Sequence, residues 1–459
     1  MEKIILYVLS IFFVAALAAG GCLHKRNRNN YQPFVSEVVH PEWSKDAVLY
    51  EVNIRQFTPE GTFKAFTQHL PRLKELGVDI LWLMPIHPIG IKNRKDELGS
   101  YYSVRDYMKV NPEFGTLEDF KILLDKAHEA GFHVIMDWVP NHSSWDNPLT
   151  TEHPEFYVKD KDGNFIPPLG TDWTDVIQFD WTNKGLHEYM LNALKFWVEL
   201  GVDGFRVDHP HKTPPEFWET VRAELWKIKP VLLLAENEGQ NEFMKKGFDM
   251  NYSWELHHLM NQIARKKDSV NSLEKYYEKE LFVYPQNTYR MVFLDNHDEN
   301  SWNGTITSRM GEAQYPFAVF MFTTRGVPLL YNGQEVCLNK SLRFFTKDTI
   351  RWDTCTMTAF YKKLIRLKKE NQALWNGEEG GKMEIIKTNQ PGKVFAFSRE
   401  KDGNLLIVFL NLRDKEVAVK PVLKNIRGTF TDYFNHSVIE MPDDKPLIIE
   451  PWGFRIFIK

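Results

Sequence analysis

The chain has 459 residues, of which 43% are hydrophobic, 26% charged and 14% aromatic, so a disordered chain, a collagen-like repeat and a disulfide-stapled miniprotein are excluded. Net charge is −4 and the one basic block is residues 25–28, which leaves nucleic-acid binding without electrostatic support. The 14 Trp, 17 Tyr and 32 Phe are more aromatic surface than a core needs, and sugar-binding clefts use such rings as platforms.

Residues 1–22 read as a targeting segment: Lys3, an apolar run over 4–19, then small residues leading into Cys22. Small residues before a Cys resemble a bacterial lipobox, so export and lipidation at Cys22 are expected, with 23–43 as a tether; the alternative is cleavage by the ordinary signal peptidase and a periplasmic protein. Membrane contact is then through the lipid anchor alone. From residue 44 to 375, short β-rich runs alternate with amphipathic helical stretches. Strands are expected at 47–53, 79–84, 132–138, 203–207, 231–235, 247–250, 289–294 and 327–331, and helices at 63–76, 117–130 and 185–200. Eight runs apolar on both faces, with helices between them, predict an α/β fold, a closed (β/α)8 barrel. About one strand-plus-helix unit separates Asp208 from Glu236, and two separate Glu236 from Asp298. The surplus at residues 141–182 reads as a small excursion after the third strand. After Trp375 the texture changes, and alternating runs at 394–398, 405–410, 417–422 and 447–458 predict an antiparallel β-sandwich over 376–459. Cys337 and Cys355 are expected to be free thiols.

Catalytic groups of such a barrel sit just past the strand ends. There the sequence places Asp137, Asn141 and His142 after strand three, Asp208 after four, Glu236 after five, and Asp295, His297 and Asp298 after seven. Retaining glycoside cleavage needs two carboxyls about 5 Å apart, which Asp208 and Glu236 on adjacent strand ends can meet. Arg206, two positions before Asp208, shares its strand face and should hold Asp208 ionised. Glu236 emerges from an apolar run, which should raise its pKa and keep it protonated.

The runs 137–142, 204–208, 235–236 and 293–298 resemble, in order and spacing, the signature regions of the α-amylase superfamily, glycoside hydrolase family 13. Residues 102–107 and 111–116 resemble its loop after strand two, and 326–335 its strand-eight motif. The likeness covers roughly residues 44–370. It implies that Asp208 is the nucleophile, Glu236 the acid and base, and Asp298 the group that stabilises the distorted transition state. It also implies that His142 and His297 bind the sugar and that Tyr102 stacks on it. No organic cofactor is implied. The resemblance also implies that many relatives bind structural calcium through an Asn at the position of Asn141 and an Asp where this chain has Gln178, so calcium is a weak expectation here. After Asp208 relatives carry a Lys-His pair, whereas this chain has His209-Pro210-His211-Lys212, read as cleft or loop residues rather than metal ligands.

The expected function is retaining hydrolysis of α-1,4 bonds in starch, maltodextrin or related α-glucans by a monomer. Two alternatives stay open: a transglycosylase or branching enzyme with the same chemistry, and a membrane-held glycan-binding relative without catalysis.

Overall fold

The computed structural model describes residues 34–239, 241–423, 426–442 and 445–459. The expected targeting segment, Cys22 and most of the expected tether lie outside the described residues. Among those described, no helix is long and apolar enough to cross a membrane.

The eight expected barrel strands are all present: β1 Leu49–Val52, β2 Ile80–Leu83, β3 His133–Trp138, and after the excursion strands β4 His142–Ser144 and β5 Val176–Gln178, β6 Gly204–Val207, β7 Leu232–Ala235, β8 Met250–Tyr252, β9 Tyr289–Phe293 and β10 Val327–Tyr331. The eight close into one parallel barrel in the order β1-β10-β9-β8-β7-β6-β3-β2. Their two apolar faces have separate destinations. Inward side chains such as Leu49, Trp82, Ile135, Leu234 and Phe293 fill the barrel, while Tyr50, Leu81, Val134 and Leu233 pack outward under the helices.

Local signals explain the helix ends. Thr116 and Asp119 form a reciprocal capping box that starts the helix Leu117–Glu129. The single helix expected over 63–76 is instead two, Phe63–Thr67 and Leu70–Leu76, because Pro71 lacks an N–H and suits only a first turn. Gly204 opens β6 at φ 155°, where a Cβ would lie 2.0 Å from the Leu232 carbonyl oxygen. Only glycine lets β6 and β7 pair there, and that pairing carries Arg206, Asp208 and Glu236.

The excursion is a two-stranded antiparallel sheet of β4 and β5 beside the barrel mouth. The C-terminal region forms a six-stranded antiparallel sheet and a two-stranded one, Val417–Val419 with Leu447–Ile449. Phe409, Val419, Phe430 and Phe457 fill the space between them, while Phe395 and Phe397 face the barrel and meet Tyr277 and Phe320. The run expected as one strand over 447–458 is split by a turn at 450–453, and Lys382–Ile385, Gly428–Asp432 and Val438–Met441 add strands that the alternation did not reveal.

One expectation is overturned. Cys337 and Cys355 form a disulfide, their Cα atoms 6.1 Å apart. The end of β10 and the start of the helix Thr356–Glu370 bring the two ends of an 18-residue span together, which sequence spacing cannot show.

Candidate active site

All seven expected site residues meet at the C-terminal rim of the barrel. A cleft of about 480 Å³ is lined by Tyr102, His142, Asp208, Glu236, His297 and Asp298, and Arg206 forms its floor from beneath. Backbone pairing sets the two central carboxyls: the Asp208 N–H donates to the Trp138 carbonyl at 2.8 Å and the Glu236 N–H to that of Val207 at 2.9 Å. Carboxylate oxygens of Asp208 and Glu236 come within 4.8 Å of each other, and the side chain of Asp298 is 38% exposed to the cleft.

Arg206 is fully buried and serves three carboxyls. Its Nη1 donates to Asp137 at 2.9 Å and Asp208 at 3.0 Å, Nη2 lies 2.9 Å from Glu236, and Nε donates to the Tyr252 hydroxyl at 3.0 Å. That sharing reverses the protonation expected from sequence. Burial pushes Asp208 up to about 7, with Glu236 and Asp137 adding to the effect against His209 and Arg206. Burial also works to raise Glu236, but Arg206, His209 and His297 outweigh it and hold that carboxyl down at about 2. Chain proximity pairs Arg206 with Asp208 alone, whereas the fold sets it among three carboxyls, and the His209 N–H adds a 3.2 Å bond to Glu236.

Asp208 and Glu236 thus hold one proton between them at mild pH, which is the stoichiometry an acid and a nucleophile need. The proton is lost as pH rises through about 7, the value to which burial pushes Asp208. Since kcat/KM follows the free enzyme, it should fall above pH 7 with a single-proton alkaline limb. An initial-rate profile at low substrate checks this, and a flat profile to pH 9 would contradict it.

His297 is a second buried charge. Its Nδ1 lies 2.5 Å from Glu51 Oε1 and its Nε2 2.8 Å from the Tyr102 hydroxyl, while Tyr102 gives its own proton to Asp137 at 3.0 Å. Both ring nitrogens must therefore donate, so His297 is an imidazolium. Burial works against that charge, but Asp298 and Glu51 raise its pKa to about 9. Glu51, fully buried in β1, escaped the sequence reading; the one signal was a lone carboxylate inside an apolar run. Glu51→Gln should lower kcat/KM by about tenfold or more with the fold retained, because the imidazolium loses its counter-ion. Steady-state kinetics beside a thermal melt measure this.

His142 lines the cleft, but both its nitrogens are engaged. Nε2 donates to the Tyr102 carbonyl at 3.1 Å, and Nδ1 faces the Asn141 amide at 3.1 Å. Burial pushes its pKa down to about 3, so it is neutral. Trp173 from the excursion, Trp302 and Phe344 also line the cleft, and no motif singled them out.

The donors near Asn141 do not fit calcium. Asn141 Oδ1 is buried and unpartnered, but Gln178 brings an amide rather than a carboxylate and uses its Oε1 to accept from Leu169 N–H at 3.2 Å. A hard cation wants six to eight oxygens, several of them carboxylate. Asp208, His209 and Glu236 are compact enough to hold an ion, yet Arg206 already supplies positive charge to both acids.

A rim of strand ends that gathers two close carboxyls, a third acid and an imidazolium around one arginine is built for glycosyl chemistry. Comparison with known proteins makes the class specific: residues 28–166 and 169–377 match the model of the α-amylase catalytic domain. The chain belongs to the α-amylase family. It is 25% identical to α-amylase 2 of Dictyoglomus thermophilum, over 91% of this chain and 77% of that protein. It is 27% identical to an α-1,4-glucan:maltose-1-phosphate maltosyltransferase of Picrophilus torridus, over 82% of this chain and 62% of that one. The crystal structure of a noncanonic maltogenic α-amylase from Thermotoga neapolitana superposes with a TM-score of 0.82 at 29% identity, covering 90% of this chain and 98% of that one.

Proposed function

We propose that the protein is a retaining α-glucan hydrolase acting on α-1,4 bonds of starch or maltodextrin. The observation that carries this reading is the approach of Asp208 and Glu236 within 4.8 Å, the short spacing of a double-displacement pair, with Asp298 facing the same cleft. Asp208 attacks the anomeric carbon as a carboxylate once the single proton that the pair holds has passed to Glu236, which delivers it to the departing glycosidic oxygen. Water then enters, loses a proton to Glu236 and displaces Asp208, so the α configuration is kept. Asp298 and the His297 imidazolium hold ring hydroxyls, and Tyr102 lies beneath the sugar whose bond is cut.

Incubation with maltoheptaose and soluble starch, followed by NMR of the first products, tests the reading. Short α-anomeric maltooligosaccharides support it. Longer or branched products would reassign the protein to the transferases of the same family. Binding without turnover would make it a capture protein.

We also propose that the protein is exported and lipidated at Cys22. The first described residues, 34–40, run beneath the barrel, where Glu37 N–H donates to the Lys245 carbonyl at 2.8 Å and His40 bonds Asp249 at 2.8 Å. Loss of membrane fractionation in a Cys22→Ala chain is the expected result.

A further inference from the structure

The two ends of the cleft are built differently. Glu236 protonates the oxygen of the leaving chain, so the leaving side runs past His209 and Trp173, whose rings are 5.3 Å apart. The other direction, past Tyr102 and Asp298, leads toward the non-reducing end of a bound glucan. There four loops meet. Lys95, from the loop after β2, pairs with Asp175 of the excursion at 3.1 Å, and Asp175 is almost completely buried. In the same loop, the Leu98 N–H donates to the Phe345 carbonyl at 2.9 Å, which ties it to the segment after β10. Phe344 lies parallel to Tyr102 at 6.3 Å, and Trp302, from the turn after β9, covers Phe344 and Phe345 at 5.3 and 5.9 Å.

Two further contacts root this wall. The Ser103 hydroxyl donates to the Asp175 carbonyl at 3.0 Å, and the Cys337–Cys355 bridge closes the span that bears Phe344 and Phe345. The leaving side is much looser. Lys212 reaches the Leu169 carbonyl at 3.5 Å, and Leu169 is 69% exposed.

We propose that the Lys95–Asp175 pair and the aromatic wall beside it seal the non-reducing side of the cleft. The protein then works from free non-reducing chain ends and releases short α-anomeric products, rather than cutting within long chains. This rests on the hydrolase reading above and adds the mode of attack. The chemistry is unchanged: the bond from the anomeric carbon to the glycosidic oxygen breaks, and water supplies hydroxyl to the carbon and a proton to the leaving oxygen. What changes is which chains can reach Asp208. An interior segment must extend past Tyr102 in both directions, and the wall occupies one of them.

The test compares maltoheptaose with maltoheptaose whose non-reducing glucose carries a 4,6-acetal, products being followed by chromatography and mass. With the purified protein, the blocked chain should be cleaved at least about twentyfold more slowly than the free one. Lys95→Ala, a change at a partly exposed side chain, should bring the two rates together and lengthen the first products. Asp175→Asn should act in the same direction. Equal rates on both heptasaccharides in the parent protein would overturn the inference while leaving the hydrolase reading intact. So would a rate ratio that neither substitution moves. Cleavage of neither heptasaccharide would overturn the hydrolase reading and the inference with it.

Discussion

Asp208→Asn is expected to lower kcat on maltoheptaose by roughly four orders of magnitude or more, with folding retained. The amide keeps the shape of the carboxyl but cannot form the glycosyl ester, and no other carboxyl is placed to replace it at the same distance. Stability should hold because Arg206 keeps two carboxylate partners, Asp137 at 2.9 Å and Glu236 at 2.9 Å. Burial also raises the Asp208 pKa, so removing this acid relieves the pocket of an ionisation it resists. Glu236→Gln should be nearly as damaging on maltoheptaose, yet much less so on a glucoside with an acidic phenol as leaving group, which departs without protonation. Kinetics on the two substrates beside circular dichroism measure these outcomes. Asp208→Asn turnover within about tenfold of the parent would remove it from the nucleophile's role.

Arg206→Met should damage both function and fold. Asp137, Asp208 and Glu236 would be left without the cation that faces all three, and each is nearly or fully buried. Breaking a buried ion pair by removing one partner costs about 3–5 kcal/mol. The direct effect on activity follows from protonation. Glu236 would lose the charge that lowers its pKa, and the three acids would take up additional protons, so Asp208 and Glu236 would hold more than the one proton they share in the parent and the nucleophile could not be freed. Urea unfolding at pH 7 should show the stability loss, and it should shrink as pH falls through the values of Asp208 and Asp137, about 7 and 6, and vanish only toward pH 2, where Glu236 is protonated in the parent as well. A variant as stable and as active as the parent would show that the arginine is dispensable.

Most of the barrel was legible because its strands are short apolar runs bounded by polar turns, a pattern that survives without tertiary information. The two Phe63–Leu76 helices were merged since amphipathic spacing continues across Pro71. The C-terminal strands were harder. Gly428–Asp432 and Val438–Met441 have weakly alternating faces, because one side of that sheet edge is half exposed.

At the site, the sequence determined which side chains are available and, through strand ends, which rim they share. Asp208, Glu236, Asp298, Arg206, His142, His297 and Tyr102 all followed from that placement and from the family resemblance. Their electrostatic state did not. The expectation that Glu236 is raised and Asp208 kept low treated each acid with its nearest chain neighbour, but fields in a buried cluster depend on every charge within a few ångströms. Closing the barrel brings β1, β3, β6, β7 and β9 ends together. Glu51 thereby meets His297 across 246 residues, and Asp137 meets Arg206 across 69. Tertiary placement likewise decided the disulfide and the joining of Lys95 to Asp175. Identity and spacing are properties of the chain, whereas burial and charge pairing are sums over space, and only the tertiary structure supplies that space.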